Sequence, residues 1–571
     1  MNGITEKTEP LRSPSVAVLA AAGAILLWLS QPPIAAWPLA FVALVPSLKL
    51  VTQVNDLTRR DLWVIWLAGL VFWLVSLQGL RHAHPAIYGG WFALAAYLSV
   101  YGVLFVTISR RLLRAGRPLW LTAPVVWVGL ECIRNYFATG ISAAMLGHTL
   151  ADVPVMIQIA DMFGSYGVSF VIVAANVAVF SVVNPLLVRR FSRTTAKLGI
   201  GIEWKSVVSA IVLVAASLIY GQFRLSQPSG EKQLATFALI QRSEVVEYVP
   251  DQGRAVEMFY DYARQSISAL DGTSERIDAI IWPESMLSGG MFWVVDHETA
   301  VPPPQFDHSD EEFQQGLDFQ RDEFLLRAAD LQNAFAASNQ GGLKPQLIGG
   351  CGLLRYAEDP QMFSGLIQID TAGQVAAWYA KTHRVLLGEH IPILSSMPGV
   401  RDFIPLGLRL SRGPGPQRFS VADTNVSPNI CIETAVERVA VNHLSQLHRT
   451  GGLPDVIVTV TNDGWFDDSS VIEHHLRCAQ MVAVGCRRPI LSSANNGPTA
   501  WIDSDGQIVQ RLATGSEGAI VATPLQDNRV SIYVLIGDWP ARILALTCIG
   551  VMVLMGYERR VARKSRQSET Q

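Results

Sequence analysis

One thiol with three ionisable companions carries the chemistry of this chain. Cys431 stands in the run Asn429-Ile430-Cys431-Ile432-Glu433, where an apolar stretch passes into polar sequence. A thiol at such an exit can attack a carbonyl once a base removes its proton. Glu284 follows Ile281-Trp282-Pro283, and an apolar neighbourhood lifts a carboxylate's pKa toward the range useful for proton exchange. Lys381 follows Trp378-Tyr379-Ala380, where a fixed ammonium can stabilise negative charge on a tetrahedral oxygen. Glu389 and Glu433 are candidates to pair with Lys381 and keep it charged near the thiol. Each residue alone has an ordinary reading as a small buried cysteine, a loop glutamate or a surface lysine. Their recurrence at the ends of strand-like runs makes them a set.

Those ends belong to an alternating pattern. Short apolar runs at 235–240, 278–282, 346–350, 364–369, 376–380, 427–432, 455–461, 489–494, 499–503 and 518–523 have strand length. Helical patterns occupy about 253–269, 316–337 and 471–486, so the segment reads as a layered α/β domain. Stretch 300–317, with an acidic run from Asp307 to Glu312, reads as a surface excursion, and 408–420, with Gly413 to Pro416, as a loop. His474 and His475 are adjacent, so they do not share one helix face, and packing or surface placement is the simpler reading than metal binding. Trp282, Met286, Leu287, Met291, Phe292 and Trp293 form an apolar stretch around the candidate base; Trp465 and Phe466 form another. Either can cover an acyl chain or belong to the core.

Around this domain the chain is apolar. Half of its 571 residues are hydrophobic, and the formal charge of -3 leaves no nucleic-acid footprint. Eight apolar segments, roughly 15–30, 33–50, 62–80, 87–108, 118–136, 156–184, 204–221 and 540–557, are candidate spans, with Gln31, Pro32 and Pro33 splitting the first two at a tight turn. Basic clusters at Lys7 and Arg12, Arg59 and Arg60, Arg110 to Arg117, Arg189 to Lys197, and Arg559 to Arg566 all fall on one side if every segment crosses. The expected organisation is a seven-helix membrane domain at 1–221, a catalytic domain at 222–533 outside the cytoplasm, and a last span with a basic cytoplasmic tail at 534–571. Glu131 and Arg134, near the end of the fifth segment, can pair or meet headgroups. Six cysteines, Cys132, Cys351, Cys431, Cys478, Cys486 and Cys548, form no close-paired framework.

The insert resembles the carbon-nitrogen hydrolase, or nitrilase, superfamily, whose triad is Glu, Lys and Cys. The whole chain resembles that superfamily's membrane branch, the apolipoprotein N-acyltransferases. The motifs are Trp37-Pro38-Leu39-Ala40-Phe41, Gln158-Ile159-Ala160-Asp161 through Phe170, Tyr379-Ala380-Lys381-Thr382-His383, Gly388-Glu389-His390-Ile391-Pro392, Thr461-Asn462-Asp463-Gly464-Trp465-Phe466 and Gly537-Asp538-Trp539. The resemblance implies a multi-span α-helical membrane domain plus an α/β nitrilase-like four-layer αββα sandwich. It implies Glu284 as base, Lys381 as oxyanion-side cation, Cys431 as nucleophile and Glu389 as supporting carboxylate, with Ile432, Glu433, Trp282, Tyr379, Trp465 and Phe466 as supporting or substrate-binding residues. Some letters depart from the family pattern: Ile432 replaces a tyrosine, and Val385-Leu386-Leu387 leading to Gly388-Glu389-His390 replaces a Val-Pro-Phe run before Gly-Glu-Tyr.

The implied reaction moves an acyl group from a phospholipid, at its first glycerol position, to the α-amine of an S-diacylglyceryl cysteine on a lipoprotein, through a thioester on Cys431. No cofactor, metal or nucleic acid is expected, and the protein is expected to work as a monomer in the bacterial inner membrane with its catalytic domain in the periplasm. The rival enzyme is a membrane-tethered amidase with water as acceptor. A non-catalytic lipid-binding scaffold requires the three residues to lie far apart, and a transporter lacks a buried ionisable relay in its spans.

Overall fold

A computed structural model describes residues 15–84, 87–191, 202–227, 230–246, 251–303, 309–385, 388–390 and 409–568. Lys7, Arg12, Lys197, Asp307, Leu386, Leu387, Ile391 and Pro392, all used above, lie outside the described residues.

Every apolar segment forms helix. These are α1 (Val16–Ser30), α2 (Val45–Thr52), α3 (Arg59–Ser76), α4 (Ile87–Arg114), α5 (Leu119–Tyr136), the short α6 (Pro154–Ile157), α7 (Ala160–Phe191), α8 (Trp204–Ser226) and, at the far end of the chain, α15 (Trp539–Ser568). Four of them, α4, α7, α8 and α15, are long and apolar enough to cross a membrane on length and composition, while α1 and the stretch Trp37–Thr52 are shorter apolar helices. Their outer faces carry side chains that water would not tolerate in such number: Ile219 is 71% exposed, Trp63 65% and Val553 65%. Backbone between the helices finds internal partners, as an apolar solvent demands. Asn176 on α7 accepts from Leu44 N at 2.9 Å and donates to Ala40 O at 2.8 Å, satisfying the irregular chain between α1 and α2. Arg110 caps the last carbonyls of α2, donating to Leu50 O at 2.7 Å and Gln53 O at 3.0 Å.

The insert is a sandwich of two sheets. Its first sheet takes β1 (Phe237–Gln241), β2 (Ala279–Trp282), β3 (Trp293–Val294), β4 (Gln346–Arg355), β5 (Gln361–Ile369), β6 (Val375–Ala380) and β13 (Gly518–Ala522), in the order β13-β1-β2-β4-β5-β6 with β3 beside β4. The second takes β7 (Phe419–Val421), β8 (Thr424–Ile430), β9 (Val456–Thr461), β10 (Ile490–Ala494), β11 (Ala500–Ile502) and β12 (Ile508–Arg511), in the order β12-β11-β10-β9-β8-β7. Leu239, Ile281 and Ile348 of the first sheet pack on Val426, Val458 and Leu491 of the second, so the central core lies between the sheets. Helices α9 (Gln252–Asp271) and α10 (Asp310–Ser338) cover the outside of the first sheet. Helices α12 (Glu437–Gly451) and α13 (Ser470–Cys486) cover the second, with short α11 (Ile432–Ala435) and α14 (Ile532–Ile536) beside them. This is the four-layer αββα order.

Each strand expected from the sequence forms within a few residues of its expected ends. Strands β3, β7 and β12 and helices α11, α12 and α14 were not foreseen; β7 begins within the stretch expected to be loop, and the first two turns of α10 occupy the end of the expected surface excursion, where Ser309 caps the helix.

Helix α13 is buried on both sides because it lies between the second sheet and the membrane helices. Arg487, at its end and 0% exposed, donates to Asp161 Oδ2 at 2.7 Å, Gln158 Oε1 at 2.6 Å and Asp505 Oδ1 at 2.9 Å. The Gln158 to Asp161 motif thus anchors the sandwich to α7. In the Gly537-Asp538-Trp539 motif, Asp538 accepts from Tyr136 OH at 2.7 Å and from Tyr533, joining α15, α5 and α14. Removing one partner of a buried ion pair strands the other charge and costs about 3 kcal/mol. Arg487→Met is therefore expected to lower the thermal unfolding midpoint of the full chain in detergent micelles. A midpoint equal to the parent's would contradict the anchoring role.

Candidate active site

Strands β2, β4 and β6 run in the same direction, because β2 pairs with β4 in parallel and β5 is antiparallel to both β4 and β6. The residues that follow β2 and β6 therefore leave the first sheet at one edge. Glu284 lies two residues past β2 and Lys381 immediately past β6. Gly350 on β4 makes room for the Glu284 turn: an added Cβ there would sit 2.4 Å from Glu284 Cα and 2.3 Å from Ser285 N. The second sheet delivers Cys431 immediately past β8. Its backbone has φ 47° and ψ -109°, a strained conformation for a residue with a side chain, and it stands at the sharp turn from strand into α11.

The three groups converge. Lys381 Nζ, 2% exposed, donates to Glu284 Oε1 at 3.2 Å and Glu389 Oε1 at 2.7 Å. Ser364 Oγ donates to Glu284 Oε1 at 3.0 Å, and Glu389 Oε2 accepts from Val385 N at 2.8 Å. Cys431 is half-buried and feels the charges of both Lys381 and Glu284. The other five cysteines are buried, and all six are free thiols.

Burial raises the Glu284 pKa and the Glu389 charge adds to that, against the pull of Lys381 and Ser364. Burial also opposes the Lys381 ammonium, but Glu284 and Glu389 outweigh it and hold its pKa well above the ordinary lysine range. For Cys431, burial pushes the thiol up, with Glu284 and Asp463 adding to it and Lys381 pulling the other way. The resting arrangement is a neutral thiol beside a permanent ammonium and a carboxylate of raised pKa. Such a set suits nucleophilic attack that begins with proton removal by the carboxylate.

Glu433 differs from expectation because it forms no ion pair with Lys381. Fully buried, it accepts from Tyr379 OH at 2.7 Å, Thr382 N at 2.7 Å, Thr382 Oγ1 at 2.7 Å and Ile430 N at 2.9 Å. The turn of α11 points its side chain back under β8, so it staples the Lys381 turn of one sheet to the Cys431 turn of the other. Tyr379 serves that staple. Trp282 takes the core alternative: it is fully buried, donates to Ser266 Oγ at 2.9 Å and meets Phe259 at 5.5 Å, so it fills the α9 side of the first sheet. Met286 and Leu287 share that core, whereas Phe292 is 39% exposed. Trp465 and Phe466 are half-buried on the turn Asp463–Phe466, which packs against the membrane-domain turn Gln78–His82. Ile432 opens α11, and His390 bridges Arg409.

His475, read from the sequence as a packing or surface residue, belongs to the site. Its Nε2 lies 3.1 Å from Cys431 O and its Nδ1 3.4 Å from Asp463 Oδ1, while buried His474 faces the opposite way, toward His148 and Arg477. The available signal was a polar residue on the apolar stripe of α13, at the spacing His475, Ala479, Val482.

Two family models cover most of the chain. Residues 23–178 match the apolipoprotein N-acyltransferase N-terminal domain and residues 257–529 match carbon-nitrogen hydrolase. A protein from Rhodopirellula baltica named apolipoprotein N-acyltransferase is 44% identical over 95% of this chain and 97% of its own. The chain belongs to the apolipoprotein N-acyltransferase family. A second such protein, from Geobacter metallireducens, is 26% identical over 95% of both chains. An amidase from Nesterenkonia sp. of solved structure is 15% identical, covering 55% of this chain and 96% of that one at a TM-score of 0.34. The fold of this acyltransferase rests on the two sheets and the carbon-nitrogen hydrolase match.

The electrostatics give a signed expectation for pH. Only ionised Glu284 can take the thiol proton, so the rate of Cys431 acylation falls as pH drops through its raised pKa, above the range of about 4.3 for an ordinary glutamate. Glu389→Gln removes a like charge and is expected to move that acid limb to lower pH. The measurement is the pH profile of acylation by a water-soluble p-nitrophenyl ester, and an unmoved limb would contradict the assigned electrostatics.

Proposed function

We propose that this acyltransferase moves a fatty acyl group from the first glycerol position of a membrane phospholipid to the α-amine of the N-terminal S-diacylglyceryl cysteine of lipoproteins. The observation that carries this reading is the meeting of Glu284, Lys381 and Cys431 at one edge of a sandwich that sits directly on lipid-facing helices. Glu284 takes the Cys431 proton as the sulfur attacks the ester carbonyl. Lys381 and the backbone N–H of Ile432 meet the oxyanion. The tetrahedral intermediate collapses, the C–O bond breaks, and Glu284 returns its proton to the departing lysophospholipid alkoxide, leaving a thioester. The lipoprotein amine then attacks that thioester and passes a proton to Glu284. The C–S bond breaks, the amide forms and Cys431 recovers its proton.

Both substrates carry long apolar chains, so lateral delivery from the bilayer suits them. Trp465 and Phe466 border the entry where the Asp463–Phe466 turn meets the membrane domain. Water is the competing acceptor, and an acyl chain lodged along this apolar border keeps it from the thioester.

The same reading places the sandwich in the periplasm of a bacterium whose inner membrane holds the helices. What supports it is the distribution of basic residues. Arg111 pairs with Glu558 and Arg114 with Asp56 at 2.6 Å, which gathers the ends of α4 and α15 and the start of α3 on the side remote from the sandwich. Positive clusters on that side favour a cytoplasmic location for it. Residues 1–221 and 534–571 then form the membrane part and 222–533 the catalytic part, working as a single chain.

The test is transfer of a labelled acyl group from a diacyl phospholipid to a diacylglyceryl lipopeptide by the purified full chain. Labelled amide is expected from the parent and none from Cys431→Ser. Release of free fatty acid without labelled lipopeptide would contradict the transferase reading in favour of hydrolysis.

A further inference from the structure

Cys431 O is held by two donors, Thr434 N at 3.1 Å and His475 Nε2 at 3.1 Å. The first is local to α11. The second comes from α13, an element that the sandwich and the membrane helices clamp from both sides. A peptide unit is planar and trans, so fixing the oxygen of Cys431 fixes the direction of the N–H of Ile432, which points the opposite way from the same plane. That N–H is the backbone donor assigned above to the oxyanion. We infer that His475, braced by Asp463, is a positioning residue that aims the Ile432 N–H at the oxyanion formed on acylation of Cys431.

The hydrogen-bond inventory supports the brace. Asp463 Oδ1 and Cys431 O can only accept, so a ring that serves both must carry a proton on each nitrogen. Burial works against that imidazolium, but the Asp463 carboxylate and the Cys431 carbonyl outweigh it and raise the His475 pKa. Glu284 contributes in the same direction. Asp463 is itself fixed, accepting from Thr461 Oγ1 at 3.0 Å at the end of β9, the strand next to β8. A charged donor on the carbonyl also polarises the peptide and strengthens its N–H. The backbone of Cys431 needs such an external hold because its φ of 47° is strained, and strain persists only where surrounding structure over-determines it.

The inference rests on the thioester reading, and its test separates the two. Two reactions of Cys431 are compared in the full chain in detergent. Acylation by a p-nitrophenyl ester of a short fatty acid passes through an oxyanion; alkylation by iodoacetamide displaces iodide and forms none. Loss of a single oxyanion donor costs about 10²–10³ in rate, so misaiming one in His475→Ala is expected to slow acylation about tenfold or more. The loss should appear in kcat rather than KM, because the interaction forms only in the transition state. Alkylation should stay within about twofold of the parent, since it depends on the thiol alone. His475→Gln, which retains an N–H donor, is expected to recover most of the acylation, and Asp463→Asn to slow acylation while alkylation holds or quickens, because the Asp463 charge itself raises the Cys431 thiol. Should the alanine variant fail to fold, the same comparison on the asparagine variant decides. Parental acylation in His475→Ala or Asp463→Asn would overturn the inference, and so would an equal fall in acylation and alkylation, which would mark a role in thiol reactivity or folding. If the parent itself forms no thioester, the proposed function fails instead.

Discussion

An ammonium shut away from water between two carboxylates is the constraint on which the rest of the sandwich depends. Lys381 is 2% exposed, and among the described residues Glu284 and Glu389 compensate its lost hydration. Charges at such depth are tolerated when their partners are fixed by other elements. Here the partners come from the exit of β2 and from the turn after Lys381 itself. Glu433 then locks that turn to the exit of β8 with its fan of accepted hydrogen bonds. Chemistry and inter-sheet registration are thus one network. Its cation cancels one of two negative charges and biases the third site, Cys431, toward a reaction that starts by proton transfer.

The membrane domain supplies a platform as well as an anchor. Arg487 grips α7, Asp538 joins α15 to α5, and the Asp463–Phe466 turn rests on Gln78–His82. The last contact places the loop that braces His475 against the edge of the lipid-facing helices. A reaction in which both substrates are lipids benefits from this arrangement, since acyl chains reach the nucleophile without crossing open water.

The sequence disclosed most where physics is local. Strand periodicity and turn residues marked ten strands, and the ends of three of them marked Glu284, Lys381 and Cys431. Where side chains act over distance, the pattern was silent. Glu433 read as a partner for Lys381 because both are charged and near the site, but the turn of α11 directs it to backbone amides. Trp282 read as either acyl contact or core, and the parallel pairing of β2 with two neighbours decides for the core. Helix α12 was missed although Ala440, Leu444 and Leu447 recur at helical spacing along it. His475 read, like His474, as a packing or surface residue, because adjacency on a helix sends the two rings to different neighbours and nothing local says which neighbours those are. One meets the nucleophile's carbonyl and the other faces the membrane helices.

The central claim is that the Lys381 ammonium makes acylation of Cys431 possible. Its most direct test is the intact mass of the Lys381→Met protein after incubation with diacyl phospholipid and no amine acceptor. The account predicts a folded protein whose Cys431 gains no acyl mass while the parent gains one acyl group. A thioester formed by the methionine variant at the parental rate would contradict it.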